Sequence, residues 1–185
     1  MITARKQHGV VLFIALIVLV AMSLAGVALW RSIGTGVLIA GNIAMQRGAV
    51  TSSDGGIETA RTWLVNPANA AILNSTQPAG YISNWDERFN TTTFDWDTLS
   101  TAVTTDSAGF ATRYVIHRLC KVPNVGPNDP TQQCLKMIVD GGSSSRGGGG
   151  YGTTPLGGVS YIYYRITSRA IGPRNTVSYT QSIMY

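Results

Sequence analysis

The side chains able to do metal or nucleophilic chemistry are few: two histidines, His8 and His117, and two cysteines, Cys120 and Cys134. His117 and Cys120 are three apart on an expected strand and point to opposite faces, so they cannot share a zinc ion. Cys120 and Cys134 have 13 residues between them and lie C-terminal to a long apolar run, in a region expected to be exported. That arrangement favours one disulfide over two separate buried thiols. It would close a loop containing Pro123, Gly126, Pro127 and Pro130. The Gly/Ser stretch 141–152 would need a following Lys-Ser/Thr and a helix to cradle a phosphate, and it has neither. Asp140 beside it is one carboxylate, far short of a calcium site. No Gly-x-Ser-x-Gly elbow is present. The sequence gives no ground to expect catalysis, a metal or a cofactor.

The elements that carry these residues are dominated by one feature. Val10 to Trp30 is a run of 21 residues without a charge, most of them Val, Leu, Ile, Ala or Phe. As a helix rising ~1.5 Å per residue it spans roughly 30 Å, the hydrocarbon thickness of a bilayer. No side of the run is polar, which argues against a buried core helix. Ile14, Leu16, Leu19, Leu24 and Trp30 are among its large apolar members, expected to form the membrane or filament-core face. The formal net charge is +5 and the pI about 9.5. Removing residues 1–9 takes away Arg5 and Lys6 and lowers the charge to +3. The remaining basic residues are scattered, so nucleic acid is not an expected partner.

A basic leader followed by an apolar run has several meanings. For a secretory signal peptide, Ser23-Leu24-Ala25 supplies a small-x-small cleavage site. The apolar stretch continues past it through Val27, Ala28, Leu29 and Trp30, which leaves the mature protein with an unexplained hydrophobic stub. The other site is Lys6-Gln7-His8-Gly9 followed by Val10-Val11-Leu12-Phe13-Ile14. It resembles the prepilin peptidase site of type IV pilins, in which the cut follows the Gly and the new N-terminal residue is methylated. That resemblance implies cleavage between Gly9 and Val10 and N-methylation of Val10. Most pilins carry Glu as the fifth residue of the mature chain, where this sequence has Ile14. A subset of tip-type minor pilins and pseudopilins shares that departure.

Beyond Trp30 the sequence stays helical in character and becomes amphipathic, with Ile39, Ile43, Val50, Ile57 and Leu64 on one stripe. Gly34, Gly36, Gly41, Gly48, Gly55 and Gly56 weaken the segment at up to ~1 kcal/mol each, so it must rely on packing. A partly flexible stalk over 31–56 is the alternative. Asn66-Pro67 ends the helix. Ala40-Gly41-Asn42, Gln46-Arg47 and the segment 54–64 resemble the second half of the N-terminal helix of PilX-type minor pilins. Residues 67–110 are polar, with loops and short helical turns expected. Trp85, Phe89, Phe94 and Trp96 would anchor those loops to the core in preference to binding sugar. Strands are expected over Arg113–Cys120, Cys134–Val139, Gly158–Ala170 and Thr176–Tyr185, the last two joined by the hairpin turn Gly172-Pro173-Arg174-Asn175. This closing hairpin also resembles that of PilX-type minor pilins. Residues 141–152 read as a mobile surface loop.

The expected architecture is α+β and pilin-like, a lollipop with a long N-terminal helix on an antiparallel sheet. Residues 1–9 form the leader, 10–30 the transmembrane or filament-core helix, 31–66 its amphipathic continuation and 67–185 the head. The resemblance implies a single-pass protein of the bacterial inner membrane, its head periplasmic, that passes into an extracellular pilus. Its partners would be other minor and major pilins, the prepilin peptidase and the pilus assembly platform. Its role would be to help initiate the filament at or near the tip. The rivals are a tip pseudopilin of type II secretion, and a Sec-exported surface binding module or adhesin cut after Ala25.

Overall fold

The computed structural model describes residues 9–103, 108–139 and 159–185. The expected leader residues 1–8, Asp140 and the loop 141–152 lie outside them. One helix, α1, runs unbroken from Val10 to Val65, so residues 31–56 are helical and not a stalk. The chain divides into two units, Met1–Ala44 and Met45–Tyr185. In the first, every residue from Val10 to Ala40 is exposed.

The second unit is α+β, as expected. It contains the end of α1 and the strands β1 (Tyr81–Ile82), β2 (Thr101–Ala102), β3 (Ala111–Arg118), β4 (Lys136–Val139), β5 (Val159–Ile162), β6 (Tyr164–Gly172) and β7 (Thr176–Met184). The main sheet has the order β1-β3-β6-β7, with β2 also paired to β3. The sheet is mixed and not purely antiparallel: β1 runs parallel to β3, and the other pairings are antiparallel. The expected third strand is in fact two. β5 pairs with β4 in a separate two-stranded sheet, while β6 joins the main one. The split falls at Tyr163, whose carbonyl accepts the Leu119 N–H and whose N–H donates to the Leu135 carbonyl. Cys120 and Cys134 stand outside the strands, opposite one another in an isolated bridge.

Alternation gives the main sheet two working faces. On one, Tyr114, Ile116 and Ile166 form the core with Ala60, Leu64 and Tyr81. The stripe of α1 buried here is Ala49, Ser53, Gly56, Ala60 and Leu64. This corrects the expected stripe: Ile39, Ile43 and Val50 are exposed, Ile57 is half-buried and Leu64 alone belongs fully. The reason is close approach. Ser53 Oγ donates to the Ser168 carbonyl at 3.1 Å, and the Ser52 and Thr112 hydroxyls share a bond of 2.7 Å. A Cβ on Gly56 would collide with Ser168 Oγ and come within 2.7 Å of Thr112 Cγ2. Large apolar residues mark the contact stripe only where helix and sheet have room for them.

The helix stops as expected at Asn66-Pro67. The Asn69 side chain donates to the Trp63 carbonyl at 2.7 Å, and Asn66 Oδ1 caps the short helix Pro67–Asn74 that follows. The β6–β7 hairpin also forms. Its left-handed residues are Arg174 and Asn175, with φ of 60° and 59°. Gly172 has φ −109°. Glycine is needed there because a Cβ would run into the Phe110 ring.

Candidate functional site

The apolar half of α1 is the first candidate surface. Gly9 directly precedes the helix and Val10 is its first residue. Ile14, Leu16, Leu19, Leu24 and Trp30 all lie on it, and its large apolar side chains range from 46% exposed at Val18 to 82% at Trp30. Its most apolar stretch has a mean hydropathy of 3.0 and none of it is buried within the chain. A helix of this length and composition is able to span a membrane. Apolar area left in water costs about 25 cal/mol per Å². With Ile14 on the helix, no carboxylate lies between Val10 and Trp30.

Cys120 and Cys134 are joined in a disulfide, 14 positions apart in sequence. The bond holds together the two segments that carry Leu119 and Leu135, whose backbones meet where β4–β5 diverges from the main sheet.

The second face of the main sheet carries a constellation that sequence reasoning did not assemble. β3 contributes Arg113 and His117, β6 contributes Arg165 and Arg169, and β7 contributes Tyr179 and Gln181. Trp85, Phe89, Phe94 and Trp96 from the preceding loops fold over them. Their anchoring role holds: Phe89 lies 4.6 Å from His117, Phe94 5.2 Å from Trp96, and Trp96 5.9 Å from Tyr179. Arg113 is tied to the Trp96 carbonyl at 2.6 Å and the Asp97 carbonyl at 2.8 Å. Arg169 lies over Trp96 and 3.9 Å from the Asp97 carboxylate. Arg165 sits over the Trp85 ring at 3.5 Å and near Phe89 at 4.6 Å.

Burial controls the protonation of this face. Desolvation, helped by the Arg165 charge, lowers the His117 pKa to about 3, against a smaller opposing pull from Asp86. The imidazole is therefore neutral at ordinary pH and serves as an aromatic wall. Desolvation lowers Arg165 to about 10, which leaves it cationic. The three arginines and His117 share a face only because β3 and β6 pair with Arg113 opposite Arg169 and His117 opposite Arg165. Their odd numbering on two strands was the available signal, but the register that joins the strands was not. The described residues hold no group of His, Cys, Asp and Glu able to bind a metal.

Comparison with models of known protein families, with curated proteins and with solved structures finds no match. The long apolar N-terminal helix and the sheet-containing unit are together compatible with a pilin-like architecture.

Proposed function

We propose that this chain is a minor pilin of the type IV class, similar to the PilX type, held in the bacterial inner membrane and then passed into a pilus. The observation that carries the reading is Gly9 abutting a helix that is uncharged and exposed on every side through Trp30. Such a helix suits two successive apolar surroundings, a bilayer and the core of a helical filament. Prepilin peptidase would cut after Gly9 and leave Val10 to be methylated. The partners are then other pilins and the assembly platform.

Ile14 points to a position near the tip. In pilins that carry a carboxylate at this place, it pairs with the N-terminal amine of a neighbouring subunit. An unpartnered charge in an apolar core costs several kcal/mol. A subunit with Ile14 offers no carboxylate, so in the shaft it would leave a neighbour's amine unpaired. At the tip it has no predecessor. We therefore expect low abundance, labelling confined to pilus ends, and loss of pili on deletion. Antibody labelling of intact pili tests the position: even decoration along the shaft contradicts it. Abundant pili in a deletion strain contradict the priming role.

A further inference from the structure

The two edges of the main sheet are finished differently. At one, β1 and β2 are two residues each, and the Tyr81 carbonyl already accepts the Gln77 N–H at 3.0 Å. At the other lies β7, nine residues in unbroken register with β6. From Val177 to Met184 no backbone group bonds to any described residue outside β6, so the outward row of alternate N–H and C=O groups is open. Edges of this length are ordinarily blunted by a charge, a proline or a bulge. Residues 175–185 contain no Lys, Arg, Asp, Glu, Pro or Gly, and the register carries no bulge.

The side chains along this edge define what it accepts. Val177, Tyr179 and Ile183 stand on the second face at 44%, 38% and 60% exposed, and Ser178, Thr180 and Ser182 alternate with them on the side of the core. An added strand sets its side chains about 5 Å from these, so apolar groups meet apolar groups and hydroxyls meet hydroxyls. The geometry also bears on whose strand it is. The end of α1 runs along β3: Gly48 lies against Phe110, just before that strand, and Leu64 shares the core with Ile116. β7 is parallel to β3, since both are antiparallel to β6. Antiparallel addition, the more stable kind, would therefore turn the α1 of a second copy end for end. Two copies held by that helix in one membrane cannot meet in this way.

We infer that the β7 edge binds an extended segment of a different protein, uncharged and alternating apolar with hydroxyl-bearing residues, which pairs antiparallel with Val177–Met184 and continues the sheet. Backbone hydrogen bonds hold the segment, and Val177, Tyr179 and Ile183 select its side chains. The edge is a docking surface separate from the apolar half of α1. The choice of a different protein over a second copy rests on the membrane reading proposed above; the strand-binding edge does not.

The probe is a synthetic peptide of the β7 sequence, Thr176–Met184, carrying a fluorophore and a lysine tail for solubility. Free of α1, it can align antiparallel about Thr180, which sets an Ile against Val177, a Val against Ile183, and a Ser against each of Ser178 and Ser182. It is titrated with the full chain in detergent micelles, and fluorescence anisotropy is read. Saturable binding is expected, with a peptide of the same composition in scrambled order weaker by about tenfold or more. Hydrogen exchange followed by mass spectrometry should show protection by the peptide in β7 and none in β1. Val177→Lys, at an exposed position, should keep the parent melting temperature and weaken binding by about tenfold or more. Should that variant melt lower, the exchange map of the parent chain decides. The inference is overturned by the absence of saturable binding, by equal binding of the scrambled peptide, by protection that spares β7, or by undiminished binding to a folded Val177→Lys. Self-association of the full chain that Val177→Lys abolishes would assign the edge to a second copy and overturn it as well.

Discussion

Arg118 shows how much of the second unit depends on single polar side chains. It is 1% exposed. Its guanidinium donates to the carbonyls of Ser83 at 2.9 Å and Leu73 at 3.0 Å, and also to that of Val125. The short helix Pro67–Asn74, the segment after β1 and the loop carrying Val125 are thereby held at one point. Arg118→Ala would strip the buried Ser83 carbonyl of its donor, while the Leu73 and Val125 carbonyls keep the Tyr81 hydroxyl and the Gln132 amide. It should cost about 1–3 kcal/mol of stability, measured by denaturant unfolding of the full chain in micelles. His117 makes a different prediction at the same scale. Its pKa is near 3 in the folded protein, against an ordinary 6.5. The unfolded chain therefore takes up the proton first as pH falls, so stability is complete above about pH 6.5 and declines toward pH 3. Asp95 and Asp129, held below their ordinary 3.8 by hydrogen bonds from Thr98 and Thr131, act only at the acidic end of that window. The melting temperature should fall between pH 6.5 and 4, with a loss on the order of a few kcal/mol. His117→Phe should flatten the curve over that interval, with Arg165 and Asp86 unchanged as neighbours. A curve of unaltered slope in that variant would contradict the account.

Among the elements, α1 is where local sequence and tertiary packing disagree most. Its existence and its end at Asn66-Pro67 were legible from composition and from proline. Its buried stripe was not, because the periodicity of Ile39, Ile43, Val50 and Ile57 identifies a helix without identifying which face a sheet will press. The contact selects small residues, and those carry almost no hydrophobic signal. Gly56 is the sharpest case. Gly56→Ala would improve helix propensity by roughly 1 kcal/mol in an exposed helix. Here the new methyl meets Ser168 and Thr112, so a net destabilisation of about 1–3 kcal/mol is expected. Gly55, one residue away with nothing within 4 Å, is the control: Gly55→Ala should leave the melting temperature unchanged or raise it. The C-terminal strands were legible from alternation, with ends misplaced by about two residues at Cys120 and Cys134, whereas β1 and β2 lie in the stretch read as loops and short helical turns and were missed. The break at Tyr163 was hidden because it depends on Leu119 and Leu135, which only the fold brings together. The arginine and aromatic face was illegible for the same reason, since its members come from three strands and the long connection between β1 and β2. The Cys120–Cys134 pairing needed no fold, because spacing and expected compartment sufficed.

At the scale of the whole molecule, one unit presents an uncharged apolar helix and the other a disulfide-linked sheet with a charged, aromatic second face. In the proposed reading the helix has two apolar surroundings in turn, bilayer first and filament second. The Gly9-Val10 junction is where that proposal makes contact with chemistry. A signal peptidase cut after Ala25 would remove Ile14, Leu16, Leu19 and Leu24 and leave no helix to enter a filament core. A prepilin cut removes only residues 1–9 and retains the entire apolar run. The most direct test is the mass of the mature N-terminal peptide, measured by mass spectrometry on protein recovered from membranes and sheared pili. The account predicts a chain beginning at Val10 with a methylated amine; a chain beginning at Gly26, or one that keeps the leader in assembled pili, would contradict it.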